Sequence, residues 1–191
     1  MTPEDGKALL QIARRAVGER LGGPAEEVAR GRRLNEPGAA FVTVRRGARL
    51  HGCIGNVEPE GALGDAVARN AKLAAFEDPR SRPLRSAELA DVRFEVSVLG
   101  KPAPLPVTSE ADACARLRPG VDGVILSRGA RRALFLPQVW RSLPEPQEFL
   151  SRLKEKAGLP PALWDDKVRL ETFQVESFAE PGYKEEEAHA S

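Results

Sequence analysis

A thiol and an imidazole stand two residues apart in the run Leu50-His51-Gly52-Cys53-Ile54-Gly55. In an extended segment, residues i and i+2 point to the same face, so His51 and Cys53 would sit side by side. That pairing suits covalent chemistry, acyl or group transfer, with Cys53 as nucleophile and His51 as proton acceptor or orienting group. Such a thiol needs thiolate character, which a nearby cation, a helix N-terminus or a base can supply. Arg80 and Arg82 offer the charge, and the backbone N–H groups of Gly52 and Gly55 could serve an oxyanion. The competing reading is a small buried cysteine on a strand against a helix, with glycines that serve a bulge or a tight turn. Structure or non-covalent recognition is the stronger reading, because a lone thiol has no assured base.

Arg80 and Arg82 lie in Glu77-Asp78-Pro79-Arg80-Ser81-Arg82-Pro83-Leu84, a loop framed by prolines. Guanidinium groups on a loop held by a rigid scaffold can grip a carboxylate or phosphate with two prongs. The alternative is a surface ion pair with Glu77, Asp78 or Glu88, which contributes little. A metal site would need three or four ligands, and His51 with Cys53 supplies only two, so no metal and no cofactor is expected. Cys114 falls within Ala111-Asp112-Ala113-Cys114-Ala115-Arg116-Leu117, an amphipathic helix, and reads as a core cysteine. Trp140 and Trp164 read as core anchors.

Twenty-nine basic and twenty-eight acidic residues give a net charge of +1, which supplies no bulk footprint for nucleic acid or an anionic membrane. No apolar run approaches the roughly 20 residues that span a bilayer. The polar start Met1-Thr2-Pro3-Glu4-Asp5 is unlike a secretory signal, and two cysteines without framework spacing suit a reducing compartment. The expected location is the cytoplasm.

The elements that must position these residues are legible in outline. Thr2-Pro3-Glu4-Asp5 is a helix start, and apolar residues from Leu9 to Leu21 follow with helical spacing until Gly22-Gly23-Pro24 stops them. A loop through Pro37-Gly38 follows. Phe41–Val44 and Ala48–Ile54 flank Arg45-Arg46-Gly47 as a hairpin, so the thiol sits on its second strand. Ala62 to Phe76 reads as a helix whose apolar face Asn70 interrupts. Ser86–Leu89 is a helical turn and Phe94–Leu99 a strand. Lys101 to Pro106, with three prolines, reads as an extended connector between lobes. Residues 121–126 and 132–136 form a second hairpin turning at Arg128-Gly129. Pro137–Trp140 starts a helical turn, and Pro146–Ala157 is a helix closed by Gly158. Val168 to Phe178 alternates as one final strand, and residues 184–191 read as a disordered tail. Hairpins mixed with helices, without regular βαβ alternation, argue α+β.

Four stretches together carry a family resemblance: Leu50-His51-Gly52-Cys53-Ile54-Gly55; Asp78-Pro79-Arg80 with Pro83-Leu84; Gly120-Val121-Asp122-Gly123-Val124 leading to Leu136-Pro137-Gln138-Val139; and Lys156-Ala157-Gly158-Leu159 with Trp164. In their order and spacing the chain resembles the AMMECR family, whose bacterial and archaeal members are called AmmeMemoRadiSam system protein A. The resemblance runs from about Gly38 to Phe178. It implies an α+β fold of two packed lobes in a single domain over residues 1–183, with a larger mixed or antiparallel sheet flanked by helices and a smaller lobe. It also implies Memo-like and radical-SAM proteins as partners, and no established activity. Three positions depart from the family pattern. His51 stands where the family usually has Arg, Asp122 where it usually has His, and Arg80-Ser81-Arg82-Pro83 where it usually reads Arg-Phe-Pro-Pro. A guanidinium in place of His51 could lower a thiol pKa but could not shuttle a proton near neutral pH. The leading expectation is an accessory or interaction module that binds a small anionic ligand or a partner protein in a cleft near Cys53. The alternative is an enzyme with Cys53 as nucleophile.

Overall fold

The computed structural model describes residues 1–25 and 28–183. The tail expected at 184–191 lies outside them. The chain divides into two compact units, one built from Met1–Leu99 with a return from Glu176 onward and the other from Gly100–Val175.

The first unit begins with helix α1 (Pro3–Arg20), opened by a capping box in which Thr2 accepts from the Asp5 N–H while the Asp5 carboxylate takes the Thr2 N–H. A four-residue helix, α2 (Arg32–Asn35), occupies the stretch expected as loop. Its one apolar anchor, Leu34, is fully buried, and so short an element carries no periodicity to read. The hairpin β1 (Ala39–Arg46) and β2 (Arg49–Gly55) turns at Gly47, whose φ of 60° suits a residue without a side chain. Helix α3 (Leu63–Phe76) and strand β3 (Val92–Leu99) complete the core. Val42, Val44, Phe94 and Val96, all fully buried, pack under α1 and α3.

The second unit holds β4 (Ala103–Leu105), α4 (Glu110–Arg116), the hairpin β5 (Gly123–Arg128) and β6 (Arg131–Phe135), and α5 (Pro146–Lys156). Phe149 on α5 is its centre, stacked on Trp140 at 3.7 Å between ring centroids and edge-on to Phe135 at 5.2 Å. Trp140 donates its indole N–H to the Asp122 carbonyl at 2.7 Å, so its one polar atom is satisfied inside the core. Trp164 is half-buried against the same cluster.

Two expectations are corrected. The proline-rich connector contains β4, which pairs antiparallel with β7 (Arg169–Phe173). Pro104 is tolerated there because β4 is the edge of its sheet, in the order β4-β7-β5-β6. The single final strand is two strands, β7 and β8 (Val175–Ala179), which enter different sheets. Alternation continues through the break because each half has a buried face of its own, so period alone does not reveal the change of sheet. The first sheet runs β2-β1-β3-β8, which leaves β2 as an edge strand. Each sheet has four strands; the first unit is the larger because of its helices and loops.

Candidate functional site

Strand β2 exposes its outer backbone groups at residues 51 and 53, because antiparallel pairing to β1 consumes those of the residues between them. The loop after α3 covers this edge. Asp78 accepts the Cys53 N–H at 2.8 Å, Arg80 Nη2 donates to the Cys53 carbonyl at 2.9 Å, and the Ser81 hydroxyl donates to the His51 carbonyl. A loop of side chains thus takes the place of a neighbouring strand, one of the ways in which an edge is protected from pairing with another chain.

Asp78 and Arg80 form the clamp. The Asp78 side chain is 1% exposed and that of Arg80 56%, so the carboxylate is the member that needs its partner. Arg80 donates Nε to Oδ1 at 2.9 Å and Nη2 to Oδ2 at 2.6 Å, and its own N–H also reaches Oδ1 at 3.0 Å. The Arg80 hydrogen bond, joined by the N–H groups of Cys53 and Arg80, holds the Asp78 carboxyl well below the usual carboxylate range, although burial opposes this. Arg80 is raised in turn, chiefly by the Asp78 hydrogen bond and to a lesser extent by the Cys53 thiol beside it. Arg82 is engaged in the same way, donating both η nitrogens to Glu88, whose carboxyl is lowered to about 2 mainly by that contact.

The candidate residues separate into three groups. His51, Arg80 and Arg82 line a cleft of about 320 Å³ along the β2 edge, with Arg46, Arg49 and Glu88. Cys53 adjoins this cleft through its backbone, but its sulfur lies on the sheet face away from the helices. There Thr43 Oγ1 donates to Sγ at 3.4 Å. Gly52 and Gly55 serve close packing: a Cβ on Gly52 would lie 2.0 Å from the Ala74 carbonyl oxygen, and one on Gly55 2.3 Å from the Phe41 ring. His51 Nε2 lies 3.1 Å from the Ala75 carbonyl. A carbonyl only accepts, so Nε2 carries the proton and a neutral His51 presents Nδ1 as an acceptor.

Sequence reasoning missed the polar face on which the thiol sits. Cys53, Thr43 and Glu95 form one row across β2, β1 and β3. Glu95 and Ser97 are buried, and Ser97 donates to Glu95 Oε1 at 3.0 Å. Ser177 on β8 must then donate to Ser97, 2.9 Å away. Tyr183 accepts from Arg45 Nε at 3.2 Å, and burial, reinforced by Glu95, pushes its hydroxyl above the ordinary range. The alternation in Phe94-Glu95-Val96-Ser97 was the available signal, but only strand pairing shows that its polar half meets Cys53. Cys114 is half-buried against the core of the second unit, its thiol pushed up by burial and by Glu110. Among the described residues no cluster of three or more His, Cys, Asp or Glu side chains could hold a metal ion, and no helix is long and apolar enough to cross a membrane.

An α+β chain of two four-stranded units with this clamped strand edge belongs to the AMMECR1 family, whose model matches residues 10–178. A protein of Methanothermobacter thermautotrophicus is 40% identical, with 95% of this chain and 97% of that one covered. A protein of Methanopyrus kandleri is 37% identical over 94% of this chain and 90% of its own length. The crystal structure of an uncharacterized protein from Pyrococcus horikoshii matches with a TM-score of 0.83 at 33% identity, covering 95% of this chain and 94% of that one.

Proposed function

We propose that this AMMECR1-family chain is a non-covalent recognition module that receives a small anionic group in the cleft along the β2 edge. The charge balance of the cleft carries this reading. Arg80 is answered by Asp78, Arg82 by Glu88, and Arg46 by Glu88 and Asp91 at 3.2 and 2.8 Å. Arg49 has no ion pair among the described residues and is exposed. One guanidinium is therefore left over in a concave site beside a histidine, and guanidinium is suited to carboxylate or phosphate. Titration calorimetry at low salt with acetate and with inorganic phosphate tests it. At least one should bind, and Arg49→Gln should weaken that binding about tenfold, the equivalent of one charge-assisted hydrogen bond. Heat-free titrations with both anions would discard the reading. The partners in this proposal are a Memo-like and a radical-SAM protein, to be sought by co-purification with the tagged chain.

A second reading, Cys53 as nucleophile, is favoured by one observation: Arg80 Nη2 reaches the Cys53 carbonyl at 2.9 Å, which brings a guanidinium charge to the residue that carries the thiol. It requires Cys53 to alkylate with iodoacetamide in the folded protein, faster than Cys114. If Cys53 reacts only after denaturation, nucleophilic catalysis is ruled out.

A further inference from the structure

The cleft offers more than a positive charge, and its two unpaired groups restrict what it can hold. Three carboxylates, Asp78, Glu88 and Asp91, answer three of its four guanidiniums, which leaves one net cation at Arg49. A dianion such as phosphate would bring more negative charge than the site neutralises, set against carboxylates already close by. His51 supplies the second restriction. Its Nε2 proton is committed to Ala75, so Nδ1, which has no partner among the described residues, is an acceptor that asks for a donor. His51 sits at a bulge, unpaired between Leu50 opposite Arg45 and Gly52 opposite Val44, and both it and Arg49 line the cleft, so a cation and an acceptor border the same space. An ammonium donor would be repelled by the unanswered guanidinium of Arg49, whereas a hydroxyl donor would not.

Building on the proposed anion-binding role, we infer that the cleft is selective for an α-hydroxycarboxylate, with the carboxylate on Arg49 and the adjacent hydroxyl donating to His51 Nδ1. The cleft's roughly 320 Å³ leaves room for a larger body on the same acid.

Glycolate and acetate form a matched pair of probes that differ only in the hydroxyl. By calorimetry at neutral pH, glycolate should bind about tenfold more tightly than acetate, the value of one hydrogen bond to an otherwise unpaired acceptor. Inorganic phosphate should bind more weakly than glycolate. His51→Arg removes the acceptor and adds a cation, so it should abolish the glycolate preference and strengthen phosphate binding. Arg49→Gln, at an exposed position, should weaken glycolate and acetate alike. If His51→Arg does not fold, the wild-type ratio and Arg49→Gln still decide the matter. Equal binding of glycolate and acetate, or tighter binding of phosphate, overturns this selectivity while leaving anion recognition intact. Absence of binding by all three probes overturns both.

Discussion

The buried carboxylate of Asp78 holds the backbone N–H of Cys53 at 2.8 Å, so the strand carrying the thiol is fastened by a side chain from the loop after α3. The same carboxylate is gripped by Arg80, which also reaches the Cys53 carbonyl. The Asp78-Pro79-Arg80 motif and the His51-Gly52-Cys53 motif are therefore two halves of one structural device.

Asp78→Asn should destabilise the first unit by about 2–3 kcal/mol, the range for losing hydrogen bonds to a charged, buried group. Urea unfolding measures it, and a loss below about 0.5 kcal/mol would show that the clamp contributes no more than an exposed ion pair.

The pH dependence has a definite sign. The folded Asp78 carboxyl lies below its ordinary value of 3.8, so its contribution is complete above that value and is lost as pH falls through the depressed folded value. Glu88, lowered from 4.5 to about 2 by Arg82, adds to the same acid limb. Stability measured from pH 6 downward should fall below about pH 4.5, and Asp78→Asn should flatten part of that fall. Parallel curves for the two proteins would contradict the assignment.

Gly52→Ala should cost about 3 kcal/mol or abolish folding. Its Cβ would meet the Ala74 carbonyl oxygen, a backbone atom of α3 that cannot swing aside. Gly47→Ala, in open space at positive φ, should cost only about 1 kcal/mol. Thermal melts of the two variants give the comparison; equal losses would remove the packing argument.

Lys154 on α5 has a side chain 1% exposed and donates to Glu110, which is 27% exposed, at 2.7 Å. Breaking the pair from either side is not symmetric. Glu110→Ala leaves a buried ammonium without its carboxylate and should cost about 3 kcal/mol, whereas Lys154→Met leaves a carboxylate that water can reach and should lie within about 1 kcal/mol of the parent. Denaturant unfolding of both variants tests the order.

Tyr183 is the one tyrosine of the chain, so its ionisation can be read directly from tyrosinate absorbance. Burial and Glu95 raise it, and the folded protein should resist ionisation at its ordinary value of 10. Because the unfolded chain releases that proton first, stability should decline as pH rises past 10. Ionisation at the ordinary value in folded protein would mean that Tyr183 is open to water.

Much of the fold is legible from local signals. Thr2 with Asp5, the glycines at 47, 129 and 158, and the apolar spacing of Leu9 to Leu21 each state their element within a few residues. The misreadings have one source. β4 looks like a connector because Pro104 and its flanking prolines read as extended loop, although a proline is excluded only from a central strand, and β7 runs on into β8 because alternation does not say which sheet a strand joins. The candidate site divides in the same way. Period alone puts His51 and Cys53 on one strand face, but the bulge at His51 breaks that period and turns the imidazole to the Ala75 carbonyl of α3 while the thiol meets Thr43. Nothing local announces that bulge, that Asp78 would close the strand edge, that Glu88 would hold Arg82, or that Thr43 and Glu95 would lie in line with the thiol.

By itself the sequence determined most of the elements, the family and the short list of chemically capable residues, because capping, period and turn chemistry act over a few bonds. Only the tertiary structure decided which guanidiniums are already answered by carboxylates and which one, Arg49, is left over. Charge neutralisation depends on distance through space, and distance through space is set by how strands and loops pack.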